Sequence, residues 1–201
     1  MRTSISVVLL ALALASCANP INQHTYQNYL VAGDQAMMRG NLQLAKQNYS
    51  RALANVRLGN LGPEAESIAL FRYARVLGNL CEHDEAEKTF IAGNRLSEQS
   101  NGVGSEATYT SVMEIGQFNY DIGQYERAVP YFDKALAIAE KYGLDNKYPA
   151  SFADAYTDYA DALKKTGNSG KENAVLAKAT SLKAKVTKKE PEYTRYPKTC
   201  K

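Results

Sequence analysis

The chain has no tryptophan, only two histidines, and three cysteines among 201 residues. Each scarcity removes a class of chemistry. The histidines, His24 and His83, have no companions at the spacing a zinc site needs. Glu82, Asp84, Glu85 and Glu87 beside His83 could gather a cation weakly, but acidic residues opening a helix are favoured by its dipole in any case. No glycine-rich phosphate loop or serine elbow is present, and the pair Gly102 and Gly104 has no strand before it. These gaps speak against an enzyme, and nothing calls for a metal or cofactor or points to nucleic acid. Long apolar runs are equally scarce. The one at residues 5–15 is too short for a span, which needs about 20 residues to cross about 30 Å of hydrocarbon.

What is abundant is a periodic pattern. In residues 115–140 the positions Ala128, Phe132 and Ala135 recur at steps of four and three, as one buried stripe of a helix requires. A turn at Ile122 and Gly123 precedes this helix, and the small residues Gly116 and Ala128 allow a close approach to the helix before it. The same pattern occurs at Ala45, Tyr49, Ala52 and at Ala86, Phe90, Gly93. Its anchor alanines are spaced by 41 (86 minus 45) and 42 (128 minus 86) residues. A first-helix pattern precedes each copy: Tyr29, Ala32, Gly33, Ala36; Leu70, Tyr73, Ala74, Leu77; Val112, Ile115, Gly116, Asn119. A fourth first helix holds Tyr156, Tyr159, Ala160 and Leu163. The predicted fold is an all-α solenoid of four hairpins and eight helices, without strands. Turns are expected at Gly40, at residues 82–84, at Gly123 and at Gly167.

This pattern resembles the tetratricopeptide repeat family over residues 26–186, in a long-helix form of its period of about 34 residues. The fourth repeat departs from it. The next suitable alanine is Ala174, and Lys178 stands where an aromatic belongs, so the last helix reads as a polar-faced cap. The resemblance implies that the first helices line a concave groove for a peptide or partner helix. Its residues would be Gln27, Leu30, Val31, Asp34 and Met37; Ile68, Phe71, Arg72, Arg75 and Asn79; Thr110, Met113, Glu114, Gln117 and Tyr120; and Asp154, Thr157, Asp158 and Asp161. Arg72 and Arg75 could receive a carboxylate or phosphate, and the aspartates a basic segment. A clamp for chaperone tails would need lysine in place of Leu30 and asparagine in place of Asp34. Groove positions could also be merely solvated, or packed between helices.

The apolar run ends in Leu14, Ala15, Ser16 and Cys17, which resembles a bacterial lipobox. On that reading residues 1–16 are a signal peptide, Cys17 is acylated and permanently anchored, and residues 17–25 are a polar tether. Ala18, in place of an aspartate, points to the periplasmic face of the outer membrane. An ordinary secretory signal with a chance cysteine is the alternative.

Charge is divided unevenly. Residues 164–201 hold ten Lys and one Arg against three Glu, net +8, so the remainder is −5 against the overall +3. The basic end could meet an anionic partner, or simply keep the last helix soluble. The tail, residues 187–201, loses helical periodicity and is expected to be extended and mobile unless something holds it. From Val186 to Cys200 it could reach about 46 Å, enough to lie back along two repeats. In an oxidising compartment Cys81 and Cys200 are a disulfide candidate. They could instead stay unpaired, or Cys200 could pair with another chain. Together these readings describe an envelope adaptor held to the membrane by lipid, binding another envelope protein or peptide segment, with self-association as the alternative.

Overall fold

The structure is a computed structural model that describes residues 2–190 and 193–199, with side chains from residue 20 onward except Ser169. Within these residues there are nine helices and no strand. They are α1 (Arg2–Met38), α2 (Leu42–Leu58), α3 (Pro63–Asn79), α4 (His83–Asn101), α5 (Glu106–Asp121), α6 (Tyr125–Tyr142), α7 (Leu144–Lys147), α8 (Pro149–Lys165) and α9 (Ser169–Lys183). The pairs α1/α2, α3/α4, α5/α6 and α8/α9 form antiparallel hairpins, and each hairpin stacks on the next through its second helix.

One turn is used four times. Gly40, Cys81, Gly123 and Gly167 have φ of +70°, +64°, +84° and +75°. The amide of the following residue reaches back to the carbonyl five positions earlier: Asn41 to Ala36, Glu82 to Leu77, Gln124 to Asn119, Asn168 to Leu163, at 2.8–2.9 Å. This is the left-handed closure that ends a helix and satisfies its last carbonyls. The second turn therefore centres on Cys81, which stands where the first and third repeats carry Gly40 and Gly123, as their sequence positions suggest, and His83 and Asp84 already belong to α4. Glycine adopts a positive φ freely, whereas cysteine does so at a cost of about 1–2 kcal/mol.

The repeated stripes form the core as the periodicity predicts. Ala45, Ala52, Ala86, Phe90, Ala128, Phe132 and Ala135 are wholly buried, and Tyr49 nearly so. Each aromatic leans on a small residue of the opposite helix. A methyl group added at Gly116 would stand 3.2 Å from Phe132 Cδ1, and one at Gly33 would collide with the ring of Tyr49. Deleting a ring such as Phe132 would remove about 3–5 kcal/mol.

Residues 17–25, read above as a polar tether, belong to α1, which runs from Arg2 through them without a break. Pro20 lies inside it and would fall in its first turn if the chain began at Cys17, where the missing amide does no harm. The fourth hairpin is displaced by the short helix α7, which lengthens that repeat. Its inward stripe is consequently Val175, Ala179 and Leu182, while Ala174 is exposed. The steps of four and three are kept in a shifted register, and Lys178 reaches the buried carboxylate of Asp145 at 2.9 Å. Finally, the tail is held.

Candidate protein-binding groove

The first helices α1, α3, α5 and α8 line one face, and the predicted groove residues divide there into three groups. Leu30 is packed between the clusters around Leu53 and Ala36 and does not line the groove. Met113 is buried and forms only the floor of a cleft, and the Asn79 side chain donates to the Arg75 carbonyl at 2.8 Å. The second group is already paired. Arg72 forms an ion pair with Asp34, which also accepts the Tyr49 hydroxyl at 2.7 Å. Arg75 lies 3.7 Å from Glu114. Tyr120 donates to Asp161, whose other partner is Lys165. These arginines are thus matched within the chain. The third group lines open space: Phe71 beside Ile68 in one recess, and Gln117 and Asp154 in a cleft of about 530 Å³ between α5 and α8.

The other wall of that cleft is the chain's own C-terminal segment, with Glu190, Tyr193 and Arg195. It docks at three points. Glu190 accepts the amides of Ala150 and Ser151 and the Ser151 hydroxyl, each at 3.0 Å, at the N-terminus of α8. Burial alone would raise its carboxyl pKa, but these hydrogen bonds outweigh it and hold the pKa below the ordinary value. Arg195 forms a bridge, with Nη1 2.9 Å from Asp121 and 2.7 Å from Asp158, and Nη2 2.9 Å from Asp158. Its guanidinium also lies over the rings of Tyr120 and Tyr193. Tyr196 is the anchor. It is 4% exposed, meets Phe118 edge-on at a centroid distance of 5.2 Å, donates its hydroxyl to Glu114 at 3.0 Å, and donates its amide to Asp121 at 2.9 Å.

The electrostatics follow from burial. The Asp158 carboxyl is pushed up by burial, against the pull of Arg195. The Tyr196 phenol is driven well above its ordinary value by burial and then by Glu114. Glu114 and Asp158 were legible as groove residues, whereas Gly78, Asp121, Glu190, Tyr193, Arg195 and Tyr196 were not. The available signals were the charge division and the reach of the tail.

Cys81 is disulfide-bonded. Cys200 lies outside the described residues, and of Cys17 only the backbone is described. Among the described residues no group of three His, Cys, Asp or Glu is placed to hold a metal ion, and no helix is long and apolar enough to cross a membrane.

Residues 109–142, the third hairpin, match the Tetratricopeptide repeat family. The fold is a tetratricopeptide-like solenoid. Among solved structures it is similar to BtubC (BKLC) from P. vanneervenii, at 19% identity and a TM-score of 0.73, covering 85% of this chain and 67% of that one. It is also similar to the kinesin-light-chain-type TPR-like repeats of Podosopora anserina, at 17% identity and a TM-score of 0.64, covering 90% and 89%. At these identities the likeness is one of fold. No curated protein matches the chain in sequence.

Proposed function

We propose that this tetratricopeptide-like solenoid is a non-catalytic adaptor, held to the periplasmic face of a bacterial outer membrane by an acylated Cys17, and that its concave groove binds a segment of another envelope protein. The observation that carries the binding role is that the groove already holds an extended segment through arginine, carboxylate and tyrosine contacts. That segment walls the cleft between α5 and α8 and reaches α3 at Gly78, leaving the side of α3 that faces α1 open. There Val31, Met38 and Ile68 are 55%, 80% and 43% exposed beside the Arg72–Asp34 pair, apolar side chains that a partner segment would cover.

The anchoring rests on Leu14, Ala15, Ser16 and Cys17, and the disulfide at Cys81 fits an oxidising compartment. Anchorage would confine the groove to a surface and raise the effective concentration of whatever it binds there.

The test is photo-crosslinking in intact cells from a reactive residue at Ile68 or Met38, with Ile91, exposed on the second helix α4, as control. A discrete protein adduct from the first two sites only is expected. Equal labelling at Ile91, or none anywhere, would refute the groove. Labelled palmitate should enter the parent chain and not Cys17→Ala.

A further inference from the structure

We propose that residue 190 and residues 193–199 are a tethered ligand of the groove, latched by the disulfide at Cys81, and that the site they occupy accepts in their place an extended partner segment bearing tyrosine, spacer, arginine, tyrosine in that order. The proposal rests on the adaptor reading above and adds the chemistry of the partner.

Three observations support it. First, the described residues of the segment are in no helix or strand, and the hairpin cores around Leu53, Ala36 and Phe132 are built without them. Only the cluster of Phe90 and Phe118 includes Tyr196. Second, the helices carry features fitted to the occupant. The Asp121 and Asp158 carboxylates converge on one guanidinium nitrogen, 2.9 and 2.7 Å away. Gly78 leaves bare backbone where the ring lies, since a methyl group there would stand 2.8 Å from Tyr196 Cδ1 and Cε1. Third, three of the four equivalent turns carry glycine at the left-handed position, and only this one carries a cysteine, at φ +64°. Its sulfur is bonded, and the end of the described tail reaches the equivalent turn of the next hairpin, with Lys198 Cε 3.4 Å from where a side chain at Gly123 would begin.

We assign Cys200 as the second half of that bond. A dithiol reductant would open it by supplying two electrons and two protons, leaving two cysteine thiols and its own disulfide. The freed tail would then compete with a partner segment at the local concentration its tether sets.

The test uses the full-length chain with Cys81→Gly, which keeps the turn because its sister turns are glycine. Hydrogen exchange is read at the Tyr196 amide. It should exchange more than about tenfold faster than the Phe118 amide, as a locally opening segment does. A smaller ratio means that the tail opens only with the whole fold, and overturns the proposal. A second arm adds Arg195→Glu and Tyr196→Ala to that chain and titrates a labelled peptide of residues 187–199. Micromolar binding is expected, at least about 100-fold tighter than to the oxidised parent. No binding to a variant of parental helicity overturns the trans site, and a concentration-dependent dimer of the Cys81→Gly chain makes a second copy the occupant and overturns the partner claim. If the triple variant does not fold, the exchange measurement still decides. Crosslinks at Ile68 and Met38 report on the other half of the groove, so the adaptor reading and this proposal fail separately.

Discussion

The ring of Tyr196 lies on the bare backbone of Gly78, with 2.8 Å between its Cδ1 and Cε1 and the position a methyl group would take. Gly78 is next to last in α3, and a methyl group there would also stand 3.2 Å from Phe118 Cε2, so the bare backbone accommodates two rings, one of them from a residue far along the chain.

The share of the tail can be measured. Gly78→Ala should destabilise the parent by about 1–2 kcal/mol through the displaced rings. In a Tyr196→Ala background the same change should cost less, since only the contact with Phe118 Cε2 at 3.2 Å remains. Urea unfolding of the four proteins measures the cycle. An equal cost in both backgrounds would show that Gly78 answers to Phe118 and not to the tail.

The turn at Cys81 separates backbone strain from the covalent bond. Under reducing conditions Cys81→Gly should be more stable than the parent by about 1 kcal/mol, because glycine tolerates the φ of +64°. Cys81→Ser should show no such gain. Under oxidising conditions both variants lose the disulfide, and with Cys200 as its proposed other half the closed loop exceeds 100 residues and is worth about 4–5 kcal/mol in the chain-entropy model. Unfolding curves with and without reductant distinguish the two effects.

The repeats were legible because their chemistry is local. Ala45, Tyr49 and Ala52 share a face by spacing alone, and each turn glycine follows its helix by a fixed step. The fourth hairpin was read out of register because α7 inserts between repeats, and nothing in Ala174 or Lys178 shows that Val175 has taken the anchor position. Arg72 and Arg75 were read as groove residues free to receive an anion, yet their partners Asp34 and Glu114 lie on other helices, so spacing could not show that both are matched. The docked tail was illegible for the same reason at greater range. Arg195 and Tyr196 meet Asp121 and Glu114 across separations of 74 and 82 residues. Only the opposed charges of body and end hinted at it.

Acid should loosen the first docking point. The Glu190 carboxyl is lowered in the folded chain from its ordinary 4.5, despite burial, by the Ser151 and Ala150 amides. A depressed carboxyl contributes stability that is full above about pH 4.5 and lost as pH falls through the lower folded value. The melting-temperature gap between parent and Glu190→Gln should therefore be widest near pH 6, narrow below about pH 4.5 and vanish in stronger acid. A gap that does not change with pH would mean that the hydrogen bonds to α8 do not depend on the charge.

Arg195 gives the most exacting prediction, because its removal leaves charges behind. The side chains of Asp121 and Asp158 are only 5% and 9% exposed, against 46% for the arginine between them. With the cation deleted, two poorly solvated carboxylates face each other, and the burial that already raises the Asp158 carboxyl acts unopposed. Arg195→Ala should weaken tail docking by about 1–3 kcal/mol at neutral pH, measured as exchange protection of the Tyr196 amide. Arg195→Lys should recover only part of this, since an ammonium group lacks the fork that reaches both acids. Adding Asp158→Asn to Arg195→Ala should restore protection rather than reduce it further, because the amide carries no charge to strand. The carboxyl titration supplies an independent sign. Asp158 is raised above its ordinary 3.8 in the folded chain, and in Arg195→Ala it should rise further. A raised carboxyl loses stability as pH climbs from about 3.8 through the folded value, so Arg195→Ala should dock its tail better at pH 4 than at pH 7, and an NMR titration of Asp158 should move with it. Equal docking at both values would show that the two acids were never held apart by the arginine.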